Sequence, residues 1–320
     1  MIRIFDETRP TAKFTPAELL DMHRRGVPLV AFEGKMGDGI NLKAHDLGNG
    51  HIEMSGAAPT KWVELEWSPM ALEMYLECVL KHREDNADEL REKSLTIAAN
   101  RAKSKVRKLC KAMGADTMLT LTYRANECSV QQAKKDLKEF VRRLRRVMPQ
   151  FKAVAVYETQ KRGAVHWHIA TANVPVSFIQ RSASGLPCKV KSFEAIRAIW
   201  RSVTGTRQGN IDIARRKASS TRSPAQIAAY IAKYIVKAFR EGEAFSNRYS
   251  AFGAPDMPKP INMGHFPDTL SAWTAAYACM LDVHHVVLEK LSKWKDWFVL
   301  HGELPNKRRK GAVGLQTVRG

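Results

Sequence analysis

Hydrophobic and polar residues alternate with a period of two along TMLTLTYR, residues 117–124. Leu119, Leu121 and Tyr123 fall on one face of an extended chain, and polar residues fall on the other. Successive side chains of a β-strand point to opposite faces, so this alternation is typical of a strand with one buried face. We therefore predict a half-buried strand here.

A longer period follows directly along the chain. Ser129 and Gln132 have the spacing of a capping box, in which a serine begins a helix and a glutamine stands three residues later. Apolar residues then recur every three or four positions, at Val130, Ala133, Leu137, Val141 and Leu144. This period places them on one side of a helix, so we predict an amphipathic helix whose other faces are basic.

Two apolar runs, FKAVAVYETQ and AVHWHIATANV, come next and are separated by the tripeptide KRG that ends at Gly163. This composition predicts a β-hairpin. If the tripeptide is the loop, with the glycine in the left-handed conformation, Glu158 falls opposite His166. His168 lies two residues further along and shares that face. We therefore expect Glu158, His166 and His168 on one face of a sheet, whereas a two-residue loop would shift the register and separate them.

A carboxylate and two imidazoles form a set of donors that suits a divalent cation. With open positions for phosphate oxygens, the set fits Mg²⁺ or Mn²⁺. Two histidines and one carboxylate also describe the facial triad of non-haem iron oxygenases. Solvated polar residues on a sheet face are the plainer alternative, so these residues alone do not decide the chemistry.

The segment PAQIAAYIAKYIVKAF, residues 224–239, supplies a second chemical group. A serine, a proline and a glutamine at its start are typical of a helix beginning. Tyr230 and Tyr234 are four residues apart and therefore neighbours on one helix face, with Lys237 one turn further and Lys233 at the edge. A tyrosine oxygen can attack phosphorus, and lysines neutralise phosphate charge. The paired phenols favour phosphoryl transfer over oxygenase chemistry, unless they only border an apolar stripe.

The charge distribution indicates a polyanionic binding partner. The net charge is +20, and residues 96–265 hold 32 Lys and Arg against 10 Asp and Glu. A nucleic-acid-binding central domain explains this excess, although a solvated basic surface would also produce it. The candidate phosphate contacts are Arg142, Arg143, Arg145, Arg146, Arg215, Arg216, Lys217 and Arg222.

Other classes of protein are disfavoured by composition. The five cysteines are scattered and never spaced as CxxC, which disfavours a disulfide framework and a cysteine zinc site. No run of about 18 apolar residues and no signal-peptide core is present, so we expect a cytoplasmic protein that does not enter a membrane.

Three blocks now stand in order along the chain: LTLTYR, HWHIA and YIAKYIVK. Together they resemble the motifs of the HUH endonucleases, in particular the two-tyrosine rolling-circle replication initiators of phages and plasmids. The resemblance covers roughly residues 115–255. It implies that His166, His168 and Glu158 hold the metal, that Tyr230 and Tyr234 are the nucleophile pair, and that the two lysines position or neutralise the phosphate.

The resemblance also implies a central antiparallel β-sheet flanked by helices. It does not extend to the ends of the chain, where the sequence patterns themselves predict an N-terminal α/β extension and a helical C-terminal region, so we expect an α+β chain. The expected regions are an accessory region at 1–67, a helical connector at 68–114, the catalytic domain at 115–255 and a helical region at 256–320. In the last of these, one long helix is expected from Thr269 to about Phe298.

The implied activity is metal-dependent nicking of single-stranded DNA at a replication origin in a bacterial host cytoplasm. One tyrosine forms a 5′-phosphotyrosine link and frees a 3′-hydroxyl primer, and the second tyrosine later transfers or rejoins the strand. No helicase-type phosphate loop is visible, so a host helicase and polymerase are the expected partners. A non-catalytic DNA-binding replication regulator, and a transposase or relaxase with the same chemistry, are the alternatives.

Overall fold

The structure is a computed structural model of the chain. It describes residues 2–8, 11–127, 129–160, 163–181, 186–215, 230, 249–253, 256–281 and 283–304. These residues divide into two compact units. One unit contains the described parts of Met1–Asp46, Ile52–Ser94 and Lys259–Gly320, and the other contains those of Leu47–His51 and Leu95–Pro258. We call them the outer unit and the central unit.

The secondary structure confirms an α+β chain. The helices of the described residues are α1 (Pro16–Arg24), α2 (Pro69–Asp85), α3 (Ala87–Ala112), α4 (Val130–Val147), α5 (Ser192–Thr204) and α6 (Thr269–Leu281). The first strands are β1 (Ile2–Asp6), β2 (Leu29–Met36), β3 (Ile40–Gly48), β4 (His51–Ala57), β5 (Thr60–Leu65), β6 (Thr117–Tyr123), β7 (Ala153–Thr159) and β8 (Val165–Thr171). The remaining strands are β9 (Ser177–Arg181), β10 (Pro187–Lys191), β11 (Gly209–Arg215), β12 (Tyr249–Phe252), β13 (Ile261–Phe266), β14 (His285–Leu291) and β15 (Trp297–Glu303).

The central unit is built on a five-stranded sheet with the order β11-β6-β8-β7-β12. All four neighbouring pairs in it are antiparallel. The predicted strand at residues 117–124 is β6, and the two apolar runs are β7 and β8. The predicted hairpin therefore lies at the middle of this sheet, beside β6.

One face of this sheet is covered by α4 and α5. Leu119, Leu121 and Tyr123 of β6 are buried there, as the alternation predicts. Trp167 of β8 packs in the same cluster, with Trp200 of α5. The predicted helix is confirmed as α4, because Ser129 caps it by accepting a hydrogen bond from the backbone N–H of Gln132 at 3.2 Å. Its five predicted apolar positions also contact this cluster: Val130, Ala133, Leu137, Val141 and Leu144.

The second half of α3 covers part of the opposite face. Val106 and Leu109 of this helix pack against Met118, Val154 and Ala170 of the sheet. The sequence predicts a helical connector here, as one long helix or two joined helices, and the structure has two, α2 and α3. Residues of α3 from Leu95 onward belong to the central unit.

The outer unit contains two sheets, with the orders β1-β2-β5 and β13-β3-β4-β15-β14. The second sheet joins strands from both ends of the chain. Its core includes Leu42 and Met54 from the N-terminal part, and Met280 and Leu300 from the C-terminal part. The expected division into separate N-terminal and C-terminal regions is therefore wrong, because each region supplies strands that the other needs as partners.

The single long helix expected from Thr269 to about Phe298 is also wrong. Helix α6 ends at Leu281, and the antiparallel strands β14 and β15 follow it. Phe298 and Leu300 of β15 are both buried, with the half-buried Val299 between them. Residues two apart share one face of a strand but not of a helix. Lys295 has a φ of 56° in the turn between the two strands.

No helix in the described part of the chain is both long enough and apolar enough to cross a membrane.

Candidate active site

The β7–β8 hairpin has the register that the sequence predicts. Glu158 pairs with His166 across the two strands. The loop closes when the backbone N–H of Gln160 donates to the carbonyl of Ala164 at 2.9 Å. Gly163 has a φ of 85°, in the left-handed region that favours glycine. The three-residue loop is therefore confirmed.

The two histidines lie on the face of the sheet opposite α4 and α5. Val165, Trp167 and Ile169 alternate with them and are buried against those helices. His168 is buried, with 7% of its surface exposed, whereas His166 is partly exposed. We call this side of the sheet the histidine face.

Glu158 and His168 approach each other closely. Nε2 of His168 lies 3.1 Å from Oε2 of Glu158, and both side chains are largely buried. Adjacent ligands of an octahedral Mg²⁺, each bound at about 2.1 Å, lie about 3.0 Å apart. The two atoms are within hydrogen-bond distance of each other, and this separation also lets both of them contact one cation.

His166 is held differently. Its Nδ1 atom lies 3.1 Å from Nε2 of Gln160, the residue that closes the hairpin loop. Among the residues that the structure describes, no group of three His, Cys, Asp or Glu side chains is placed to hold a metal ion. The structure thus brings Glu158 and His168 together as donors, and places His166 beside them without a three-ligand arrangement.

Helix α3 borders this site. Val156, which pairs with His168, and Ala170, two residues along β8, both belong to the cluster that α3 covers. Arg101, Lys103 and Lys105 of this helix are exposed. Within the described residues they form no ion pair, so their charge remains available to a polyanion. The basic run NRAKSKVRKLCK was visible in the sequence, but only the packing of α3 places it beside the histidines.

Strand β11 adds polar residues that sequence reasoning missed. Asp212 pairs with Thr120, which in turn pairs with His168 on the other side of β6. Residues directly opposite in antiparallel strands share a face. Asp212 is exposed and lies on the histidine face, as does Asn210. The alternation in NIDIAR could have suggested a strand, but not its pairing with β6, some 90 residues earlier.

The predicted phosphate contacts on α4 lie on the other side of the sheet. Arg142 and Arg143 donate hydrogen bonds to Glu139 and hold the pKa of that carboxyl at about 2. Arg145 donates to the carbonyl of Phe151 at 3.3 Å, and Arg146 is exposed. None of these four arginines is on the histidine face, so any contact they make with DNA lies elsewhere and stays a prediction.

Arg215 is also turned away from the histidines. It follows Ile211 and Ile213 on the side of β11 that packs toward α5, and its Nη2 donates to the carbonyl of Pro175 at 2.9 Å. Of the tyrosine segment, the structure describes Tyr230 alone, which has helical backbone and a side chain that is 49% exposed. The other predicted site residues lie outside the described residues: Lys233, Tyr234, Lys237, Arg216, Lys217 and Arg222.

A buried polar network fixes the end of β6 on the α4 side. Asp136 accepts hydrogen bonds from the hydroxyl of Tyr123 at 2.9 Å and from the two terminal nitrogens of Arg207 at 2.6 and 3.0 Å. Arg207 also donates to Glu127 at 2.8 Å. Burial raises the pKa of Tyr123, and the nearby carboxylate of Asp136 raises it further. Tyr123 is thus a neutral structural phenol and is not a candidate nucleophile.

Comparison with known proteins gives one match. The family model for the replication-associated protein ORF2 family matches residues 116–239, which is less than half of the chain. The matched stretch includes β6, the β7–β8 hairpin, β11 and the tyrosine segment. No curated protein and no solved structure matched the chain. The family match supports a role in DNA replication.

Proposed function

We propose that this chain is a rolling-circle replication initiator that nicks single-stranded origin DNA. The observation that carries the proposal is the side-chain contact between Glu158 and His168 on the histidine face, where Nε2 and Oε2 are 3.1 Å apart. Both residues lie inside the stretch that matches the replication-associated family model. The paired tyrosines in the same stretch supply a nucleophile of the required type. Glu158 and His168, with His166 beside them, would hold a divalent cation, which would supply charge neutralisation for the phosphate.

The covalent step uses a tyrosine oxygen of the chain. That oxygen forms a bond to phosphorus, and the bond from phosphorus to the 3′ oxygen breaks. The phenol loses its proton, and the departing 3′ oxygen takes up a proton to become the free hydroxyl that primes synthesis. The phosphate stays on the 5′ side as a phosphotyrosine ester. After a round of replication, the oxygen of the second tyrosine forms a bond to phosphorus at the regenerated origin, and the bond from that phosphorus to its 3′ oxygen breaks. The freed 3′-hydroxyl then attacks the first phosphotyrosine, so that a new bond from phosphorus to the 3′ oxygen forms, the bond to the first tyrosine oxygen breaks, and that tyrosine regains its proton.

The residues on the histidine face prepare this step. Exposed arginine and lysine side chains on α3 hold the phosphate backbone near the sheet, because each contact with a phosphate releases counterions. The ordinary pKa of tyrosine is about 10, so a lysine such as Lys237 lowers the cost of removing the proton. Strand separation and synthesis are left to a host helicase and polymerase.

The direct test incubates the protein with end-labelled single-stranded DNA from the replicon that encodes it, in the presence of Mn²⁺. The proposal predicts an adduct that survives denaturing electrophoresis, and its loss in a Tyr230→Phe, Tyr234→Phe double variant. Tyr75→Phe is the matched control, because Tyr75 packs against Trp67 in the outer unit and lies outside the matched stretch. Tight binding by the wild type with no adduct on any strand would instead favour a non-catalytic DNA-binding regulator.

A further inference from the structure

A pocket opens beside the β6–β11 pair, where three arginines converge. Arg124 directly follows β6, and Arg197 and Arg201 lie on α5. These two are four residues apart and therefore neighbours on one side of the helix. The polar side chains of Thr122 and Asn210 line the same pocket. We call it the arginine pocket.

The partners of these arginines are all neutral. Arg124 donates to the amide oxygen of Gln208 at 3.3 Å, and Arg201 donates to the carbonyl of Gly209 at 3.0 Å. The guanidinium of Arg197 lies 4.7 Å from the centre of the Phe193 ring. Within the described part of the chain, none of the three is paired with a carboxylate.

This distinguishes the pocket from three other arginines of the central unit. Arg142, Arg143 and Arg207 all bind carboxylates. Three guanidinium groups with no compensating acid repel one another, and an anion in the pocket relieves that repulsion. Guanidinium groups bind phosphate through two parallel N–H donors, which makes a phosphate the best-fitting anion.

Helix α5 covers the face of the sheet opposite the histidines, but two residues that line the arginine pocket, Thr122 and Asn210, lie on the histidine face by register. Thr122 pairs with Asn210, and two residues back along β6, Thr120 pairs with His168. Strands β11 and β8 are two positions apart in the sheet, which is about 10 Å at the usual spacing of neighbouring strands. A short stretch of single-stranded DNA spans that distance. A strand with one phosphate at the histidines thus reaches the pocket across Thr122.

We infer that the arginine pocket binds a backbone phosphate of single-stranded DNA that flanks the phosphate to be cleaved. The inference rests on the proposed function for the identity of the DNA strand. It assigns the pocket a positioning role, in which Arg124, Arg197 and Arg201 fix the register of the strand on the sheet.

The test measures binding of a fluorescein-labelled, mixed-sequence single-stranded oligonucleotide by anisotropy, in EDTA so that no cleavage occurs. Arg197→Gln with Arg201→Gln should weaken binding at least tenfold. It should also reduce the slope of log K against log salt by about 0.7, the value for one phosphate of single-stranded DNA. The matched control is Arg24→Gln with Arg25→Gln, which removes two exposed charges at the end of α1 in the outer unit and should change affinity less than threefold.

A second measurement identifies the ligand as a strand phosphate. Single neutral methylphosphonate linkages are moved along the oligonucleotide, and each is tested against wild type and variant. The inference predicts one position where the neutral linkage weakens binding to the wild type but not to the double variant. Arg124→Gln should show the same loss of sensitivity to the neutral linkage. Because this side chain is exposed, the variant should fold normally, so its result separates lost phosphate contact from misfolding.

The outcomes separate this inference from the proposed function. Equal losses of affinity in the double variant and in the α1 control would overturn the phosphate-binding role of the arginine pocket while leaving the nicking proposal intact. A methylphosphonate profile that the variants leave unchanged would do the same. An arginine-dependent phosphate contact in a protein that forms no tyrosine adduct would support the pocket and overturn the nickase.

Discussion

Replacing Asp136 by Asn tests the buried network at the end of β6. The side chain of Asp136 is 5% exposed, and its carboxylate accepts hydrogen bonds from Tyr123, Arg207 and Gln132. Breaking a buried ion pair by removing one partner costs about 3–5 kcal/mol. Arg207 keeps its contact with Glu127, so we expect a loss near the lower end, about 3 kcal/mol.

Hydrogen exchange followed by mass spectrometry reports this loss within the central unit. A decrease of about 3 kcal/mol should speed the slowest amide exchange in β6 and α4 roughly 100-fold, because each 1.4 kcal/mol is a factor of ten. Glu139→Gln is the matched control on the same helix. Glu139 bonds only to exposed or half-exposed arginines at the surface, so its replacement should leave these rates nearly unchanged. Equal rates in the two variants would refute the reasoning that the network stabilises the central unit.

Three further predictions follow from single contacts. Glu158→Gln should weaken Mn²⁺ binding at least about tenfold, as measured by the electron paramagnetic resonance signal of free Mn²⁺. An unchanged affinity would show that Glu158 does not hold the metal. Gly209→Ala should lower the melting temperature by several degrees, because a Cβ there overlaps the indole nitrogen of Trp200 and overpacking costs about 1–3 kcal/mol. An unchanged melting temperature would contradict this prediction. Burial raises the pKa of Cys110 to about 12, so at pH 8 iodoacetamide should label the exposed Cys78 while Cys110 reacts only after unfolding. Equal labelling of both would show that the packing of α3 on the sheet does not bury the Cys110 thiol.

Local patterns predicted the hairpin and its register. Gly163 at the end of the tripeptide fixed the loop type, and the loop type placed Glu158 opposite His166. Side-chain alternation likewise separated the histidines from the buried Trp167. These inferences held because each depends on residues close together in the chain, where turn geometry and strand period leave few alternatives.

Pairings between distant segments were not predictable in the same way. Strand β11 pairs with β6 across the chain and brings Asp212 and Asn210 to the histidine face. In the outer unit, β3 and β13 join residues from opposite ends of the sequence. The period of a strand shows which face is buried, but it does not identify the partner strand.

The position of α3 and the end of α6 have related explanations. The basic run on α3 has the composition of a solvated helix, and only its packing on Val156 and Ala170 shows that it borders the site.

Beyond Leu281 the sequence HVVLEKL contains both strand-forming valines and helix-forming residues. Pairing with β15 selects the strand, which illustrates how tertiary contacts override local propensity.

The account is tested most directly by mass spectrometry of the protein–DNA adduct after digestion with trypsin. Lys233 lies between Tyr230 and Tyr234, so cleavage there places the two tyrosines in separate peptides. The account predicts one of these peptides joined through its tyrosine to the 5′ phosphate of the DNA, together with a released strand that ends in a 3′-hydroxyl. DNA linked through its 3′ end, DNA linked to any other residue, or cleavage with no covalent link would contradict it.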